Sequence, residues 1–286
     1  MLLLLPMEVA ILLLFRAVNL KCPTSYKRKL ILQIFRKTGP TAFQRADQLD
    51  YAGTQALLDG EEGLEGYNRD VVMKLAKGLK FETGSKADSH LLEFGAGTGS
   101  LAEIWRDSYN KSPICFEIDP SLAAMLRSKG FECVDSLDAV VQKVDFVYTS
   151  NVLEHIESDL DALKSIKKSI KPGGRLAIYV PALPMLFSDL DRKVGHFRRY
   201  KRRELISKVE AAGFTVEKCF YSDSIGVLAS FALILVGFRN KAGLGSKQSM
   251  VFYDRLIYPI SKTLDAFGFR KIVGKNLFLF AVNTES

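Results

Sequence analysis

Three groups of residues have the types and spacing that chemistry needs. In Leu91-Leu92-Glu93-Phe94-Gly95-Ala96-Gly97-Thr98-Gly99-Ser100, three alternate glycines separate an apolar run from the helix-forming Leu101 to Trp105. Glycine lacks a Cβ and takes positive φ, so such a backbone can press its amides against a ligand, and the free amides of the next helix face an anionic group. A purely steric turn would use the same glycines. The second group is Asn151-Val152-Leu153-Glu154-His155-Ile156. An imidazole with a pKa of about 6.5 suits proton abstraction at neutral pH, although at a helix start it serves equally well as a backbone partner. In the third group Asp189-Leu190-Asp191 precedes Gly195-His196-Phe197-Arg198-Arg199-Tyr200. His196 is a second candidate base. Arg198 and Arg199, with Tyr200 beside them, suit a phosphate or carboxylate on a bound acceptor, the plain alternative being a solvated basic turn.

Positioning these groups requires alternating strands and helices. Tyr67, Val71, Val72, Leu75 and Leu79 give Glu65 to Leu79 helical spacing, and a polar loop follows over Phe81 to Asp88. Strands are then expected at 90–94, 113–117, 132–134, 144–148, 175–180, 214–221 and 277–282, with helices at 100–108, 120–129 and 203–212. A further helix places Leu160, Leu163, Ile166 and Ile170 on one face and Lys164, Lys167, Lys168 and Lys171 on the solvated one, and Lys171-Pro172-Gly173-Gly174 stops it. This order implies an α/β fold with a doubly wound, mostly parallel sheet of seven strands. Ligands of such sheets lie beyond the carboxyl ends of the strands. Glu117 with Ile118, Asp135 with Ser136, and Asn151 occupy those ends. Glu117 follows the first glycine by about twenty residues, the spacing at which doubly wound folds hold a ribose diol. Asp135 also fits a turn carboxylate that caps the next helix. Residues 222–276 form an insertion before the last strand, and its uncharged Ser224 to Phe238 is suited to burial in a core, to a lid over an apolar substrate, or to lipid contact.

The glycine loop departs from the dinucleotide fingerprint, which needs Gly or Ala where Ser100 stands. Glu93, the three glycines, Glu117, the Leu153-Glu154-His155 segment and the Pro172-Gly173-Gly174 turn instead occur in the order found in class I S-adenosylmethionine-dependent methyltransferases, and the chain resembles that family from roughly Glu65 to Val282. The resemblance implies a Rossmann-like methyltransferase with S-adenosylmethionine as its cofactor. It assigns Glu93, Gly95, Ala96, Gly97 and Gly99 to the methionine end and Glu117 to the ribose hydroxyls, with Ile118, Asp135, Ser136 and Asn151 completing the cofactor site. Methyl transfer from a sulfonium is an in-line displacement with an activated donor, so the enzyme supplies alignment and, for a hydroxyl acceptor, a base: His155 or His196. Some small O-methyltransferases of quinone biosynthesis share a Leu-Glu-His segment preceded by a further acidic residue that helps hold a divalent metal. Asn151 stands in that neighbourhood here, so no metal is expected, although Glu154 and His155 remain possible ligands. The alternatives are an NAD(P)-dependent oxidoreductase and a non-catalytic, membrane-bound scaffold of methyltransferase-like fold.

With 286 residues and 48% hydrophobic composition, one domain over residues 50–286 suffices, preceded by an apolar and basic helical segment at 1–40. Of the net charge of +8, residues 1–40 carry +6, and Lys21, Lys27, Arg28, Lys29, Arg36 and Lys37 follow directly on the apolar Met1 to Phe15. That arrangement points to a membrane surface before nucleic acid. Pro6 and Glu8 interrupt the apolar run, so an anchor, an interfacial helix and a docked terminus all stay open. Cys22, Cys115, Cys133 and Cys219 lack metal-ligand spacing, which fits reduced thiols in a cytoplasmic protein with possible peripheral membrane contact. The expected acceptor is small or lipid-linked. Its identity, the atom methylated and the oligomeric state are not fixed by the sequence.

Overall fold

The computed structural model divides into residues 1–50 and 51–286, and it describes residues 63–81, 89–236 and 247–284. The expectations for residues 1–40, for Cys22 and for most of the loop before the first strand lie outside the described residues.

Helix α1 (Glu65–Leu79) has the expected bounds and buries Tyr67, Val71, Val72, Leu75 and Leu79. The alternation continues through β1 (Leu91–Phe94), α2 (Ser100–Tyr109), β2 (Ile114–Phe116), α3 (Pro120–Ser128), β3 (Cys133–Val134), β4 (Val144–Ser150), α4 (Asp159–Ser169) and β5 (Ile170–Pro181). After β5 come α5 (Asp189–Lys193), α6 (Arg202–Ala211) and β6 (Thr215–Ser222). The insertion carries α7 (Ser224–Val236), α8 (Lys247–Phe252), a π-helical turn (Tyr253–Ile257) and α9 (Tyr258–Ala266), and β7 (Asn276–Val282) closes the fold. The strands form one seven-stranded sheet of order β3-β2-β1-β4-β5-β7-β6. β7 runs antiparallel to both neighbours, and the other paired strands are parallel. The doubly wound, mostly parallel sheet expected from the sequence is therefore present.

Helices cover both faces, which is why Leu176 to Val180 of β5 and Leu277 to Val282 of β7 are apolar without interruption. Successive side chains point to opposite faces. Leu176, Ile178 and Val180 of β5 and Leu277, Leu279 and Ala281 of β7 pack with Leu163 and Ile166 of α4 and Leu205 and Val209 of α6. Ala177, Tyr179, Phe278 and Phe280 face the other way, onto α1 and Trp105 of α2.

Most bounds fall within one or two residues of expectation, and the largest departure is at the start of β5. Lys171-Pro172-Gly173-Gly174 does not form a free turn after a helix; α4 ends at Ser169 and the tetrapeptide lies within β5. Asn283 is the cause. Its amide donates to the Gly174 carbonyl at 2.9 Å, its carbonyl accepts from the Gly173 amide at 2.7 Å, and its side chain donates to the Ile170 carbonyl at 3.1 Å. These bonds pull the segment into the ladder, and Gly173 absorbs the irregularity at φ 74°.

The insertion is tied to the sheet and to α1 by carboxylates, of which Asp254 is half-buried and Asp70, Asp223 and Asp265 are buried. Asp254 accepts from the Gly66 and Tyr67 amides at 2.9 and 2.6 Å, placing an anion at the α1 N-terminus, where the helix dipole favours it. Tyr258 donates to Asp70 at 2.5 Å. Asp223, fully buried, accepts from Tyr253, Ser261 and the Gly226 amide, while Asp265 accepts from the Asp223 amide and the Ser224 hydroxyl. α7 begins with Ser224, Gly226 and Val227 buried but Leu228 exposed. No described helix is long and apolar enough to cross a membrane.

Candidate active site

β1, β2, β3, β4 and β5 run parallel, so the loops after them open on one edge of the sheet, and chain order reverses between β1 and β4. A crevice at such a reversal is the favoured ligand site of open α/β sheets. The glycine loop leads out of β1 into it. Gly95, Gly97 and Gly99 all have positive φ, at 78°, 55° and 85°. A Cβ on Gly95 would lie 2.5 Å from a Val152 methyl and one on Gly99 2.7 Å from Leu126, whereas nothing lies within 4 Å of one on Gly97. The outer glycines are thus required by protein packing, and Gly97 borders open space. Gly99 caps the N-terminus of α2, as expected.

Glu117 is buried and spans the loop: it accepts from the Gly97 amide at 2.8 Å and from the Asp119 amide at 2.9 Å. Ile118 beside it is 71% exposed, an apolar surface suited to a flat ring. Glu93 is buried and accepts from the Tyr148 hydroxyl at 2.8 Å, which ties β1 to β4 beneath the loop. Asp135 and Ser136 are exposed after β3, and Ser136, not Asp135, caps the next turn by accepting from the Asp138 amide. Asn151 is exposed at φ 52°, and its amide donates to the Tyr179 carbonyl at 2.8 Å. Ala96, buried, packs with Ala102 and Leu126. The expected cofactor residues thus lie at the carboxyl ends of β1 to β4 or in the loops that follow them. The loop fits S-adenosylmethionine, with open space at Gly97 and a carboxylate at the end of β2.

Past Asn151 a single 3₁₀ turn, Leu153–His155, brings in the second group, with Leu153 and Glu154 fully buried. The third group reaches it from the connection after β5. The Phe197 amide donates to the Glu154 carbonyl at 2.8 Å, and Tyr200 is fixed to β5 through its amide on Pro181 at 2.9 Å. Gly195, at φ 82°, makes the bend that turns His196 inward. The rings of His155 and His196 meet edge to face, 4.5 Å between centroids and 85° between planes. The sequence offered each imidazole as a separate candidate; the fold makes them one cluster.

His196 has a fixed role for one nitrogen. Its Nδ1 lies 3.0 Å from Asp191 Oδ1, and because a carboxylate only accepts, Nδ1 donates a proton in that bond and Nε2 is turned away from Asp191. Asp191 is buried and also accepts from Arg199 Nε at 2.7 Å and from the Ser188 amide and hydroxyl at 2.8 and 2.9 Å. Burial alone would raise the Asp191 carboxyl, but His196, Arg199 and Ser188 outweigh it and hold the carboxyl well below the usual range. For His155, burial and the neighbouring His196 lower the pKa to about 4, against a hydrogen bond with the Gly195 backbone. His155 is therefore a neutral imidazole at neutral pH. Glu154 is the outlier. Burial pushes its carboxyl up to about 8, offset only in part by the dipole of its own amide and the charge of Arg199. Neither of its oxygens has a hydrogen-bond partner among the described residues, and Oε1 stands 3.9 Å from His196 Nε2.

Arg198, Arg199 and Tyr200, expected to contact an acceptor, are engaged inside the protein. Arg198 pairs with Asp159 at 2.8 Å and donates to the Glu157 carbonyl, Arg199 holds Asp191, and Tyr200 is fully buried with its hydroxyl on Asp159 at 2.8 Å. Their local sequence reads as a basic turn, and only the distant Asp159 and Asp191 show where the charge goes. The sequence reading missed the part Asp191 plays. The one local signal was an acidic residue five positions before a histidine, across a five-residue helix.

Residues 62–218 match the family model of a methyltransferase domain. An uncharacterized methyltransferase of Staphylococcus carnosus is 28% identical over 187 residues, which cover 63% of this chain and 79% of that protein. Among solved structures, the Haemonchus contortus phosphoethanolamine N-methyltransferase 2, in complex with phosphomonomethylethanolamine and S-adenosylhomocysteine, matches with a TM-score of 0.50 at 13% identity, covering 76% of this chain and 53% of that one. A SAM-dependent methyltransferase from Archaeoglobus fulgidus gives a TM-score of 0.49 at 17% identity, over 75% of this chain and 94% of that one.

Proposed function

Because the chain belongs to the S-adenosylmethionine-dependent methyltransferase family, we propose that it methylates a hydroxyl-bearing small molecule whose nucleophile is activated between His155 and His196. The observation that carries this reading is the meeting of the two imidazoles, 4.5 Å apart, on the sheet edge that also bears the glycine loop. The family match removes the oxidoreductase alternative and supports an enzyme over a scaffold. The lipid-linked class of acceptor and membrane contact drew on residues 1–40, which lie outside the described residues, and on the apolar insertion, whose carboxylate ties favour packing on α1.

In this reading the glycine loop and Glu117 hold the donor, Ile118, Asp135, Ser136 and Asn151 border it, and Glu93 supports the loop from below. The acceptor approaches from the side of the connection after β5. A hydroxyl is a poor nucleophile until it loses its proton, whereas the sulfonium donor needs no further activation. The pair can receive that proton directly, the role expected for His155 or His196, or act through an ion held between them. Asp191 positions His196 in either case, and Arg198, Arg199 and Tyr200 hold the connection that carries it.

Transfer of tritium from methyl-labelled S-adenosylmethionine into a fractionated small-molecule extract tests the reading. Label should enter the small-molecule fraction with the wild-type protein and fall by roughly 10²- to 10⁴-fold with His196→Ala. Label confined to macromolecules, or equal transfer by the variant, would overturn it.

A further inference from the structure

Glu154 poses a physical question. Its carboxyl is fully buried and neither oxygen has a hydrogen-bond partner among the described residues, whereas buried polar groups are as a rule bonded to a partner or a ligand. Arg199, whose charge acts on Glu154, bonds through Nε to Asp191 and makes no hydrogen bond to Glu154. His196 Nε2 lies 3.9 Å from Glu154 Oε1, beyond hydrogen-bond reach. His155 completes the group: one donor atom from each of Glu154, His155 and His196 lies within 4.8 Å of the others. Two imidazoles and a carboxyl group, donor types that suit a metal ion, are thus brought together from two separate parts of the chain.

We propose that Glu154, His155 and His196 bind a divalent first-row transition-metal ion, with Asp191 orienting His196 from behind. This deepens the proposed function and rests on it for the ion's use, since a cation here would stand between the methyl donor's crevice and the approaching acceptor. Two imidazoles and one carboxylate suit ions of the manganese-to-zinc series and not the all-oxygen sites of magnesium or calcium. Ligand atoms about 2.1 Å from such an ion sit roughly 3 to 3.5 Å apart, so donors lying within 4.8 Å of one another need to close by at most roughly 1 to 2 Å, a side-chain adjustment. The Nδ1–Asp191 bond is the outer support that metal-bound histidines use to fix ring and tautomer. Asn151 is not part of the set. The third ligand comes from the connection after β5, forty-one residues along the chain from His155, and the sequence reading, which expected no metal, had no means of bringing it in.

Cobalt(II) titration of the untagged full chain provides the test, because its visible absorption reports imidazole and carboxylate ligation. The expected result is one saturable equivalent per chain, weakened at least tenfold in each of His196→Ala, His155→Ala and Glu154→Gln, with S-adenosylhomocysteine affinity unchanged as the sign of an intact fold. A variant-free measurement accompanies it: the chain has three histidines, and cobalt should perturb the imidazole NMR signals of His155 and His196 while sparing His90. No saturable binding, equal affinity in all variants, or perturbation centred on His90 would overturn the site. Failure of the wild-type protein to bind S-adenosylhomocysteine would instead count against the methyltransferase reading, whatever cobalt does.

Discussion

At the scale of single residues, Gly97 and Asp191 make the sharpest predictions. Gly97 borders open space, so Gly97→Arg should leave the fold standing and fill the donor's place. Calorimetry should show S-adenosylhomocysteine affinity reduced at least tenfold, and undiminished affinity would remove the loop from the cofactor site. Asp191 holds His196 and Arg199 together, so Asp191→Asn leaves Arg199 without its charge partner in a buried setting. A loss of about 3–5 kcal/mol in chemical denaturation is expected. The glycines, Glu117 and both histidines were legible in the sequence because each is identified by type and local spacing. The use of Arg199 and Tyr200 was not, because Asp191 and Asp159 decide it from 8 and 41 residues away.

At the scale of elements, periodicity was a sound guide wherever one face met the core. The bounds of α1 were read directly, and β7 was placed within one residue. The Lys171-Pro172-Gly173-Gly174 stop signal marked the end of α4 to within two residues but not the start of β5, because bonds from Asn283 draw the tetrapeptide into the strand. Two predictions concern α1. Gly78 sits where an added Cβ would overlap the Phe280 ring. Gly78→Ala gains about 1 kcal/mol in helix propensity, yet the crowding of a packed aromatic costs about 1–3 kcal/mol, so denaturation should show a net loss. A net gain would mean that α1 does not lie tightly on β7. Asp70 joins α1 to the insertion: burial raises its carboxyl, but Lys74, Lys262 and Tyr258 together hold it below its ordinary value. Since the folded-state value lies below the unfolded one of about 3.9, the linked stability is fully present above that pH and is lost as pH falls through the folded value. Asp70→Asn should cost about 1–3 kcal/mol at neutral pH and flatten this acid limb. Denaturation curves that stay parallel across pH 2 to 7 would exclude the linkage.

At the scale of the whole molecule, a ligand that binds only the folded state must raise the melting temperature. At a hundredfold excess over its dissociation constant, S-adenosylhomocysteine should stabilise by about 2.7 kcal/mol, a shift of roughly 5 to 10 °C for a unit of this size. NADH should give none, and the reverse pattern would contradict the family's chemistry. The sheet has a further consequence, for the order of synthesis. β7 lies between β5 and β6 yet is made after both, with the insertion in between. While the chain emerges from the ribosome, the facing edges of β5 and β6 therefore have a strand's width between them and no partner to fill it, a state in which bare amides and carbonyls invite pairing with other chains. The same insertion that separates β6 from β7 in sequence sets how long this exposure lasts. The nascent protein thus passes through an aggregation-prone interval whose length is written into residues 223–275.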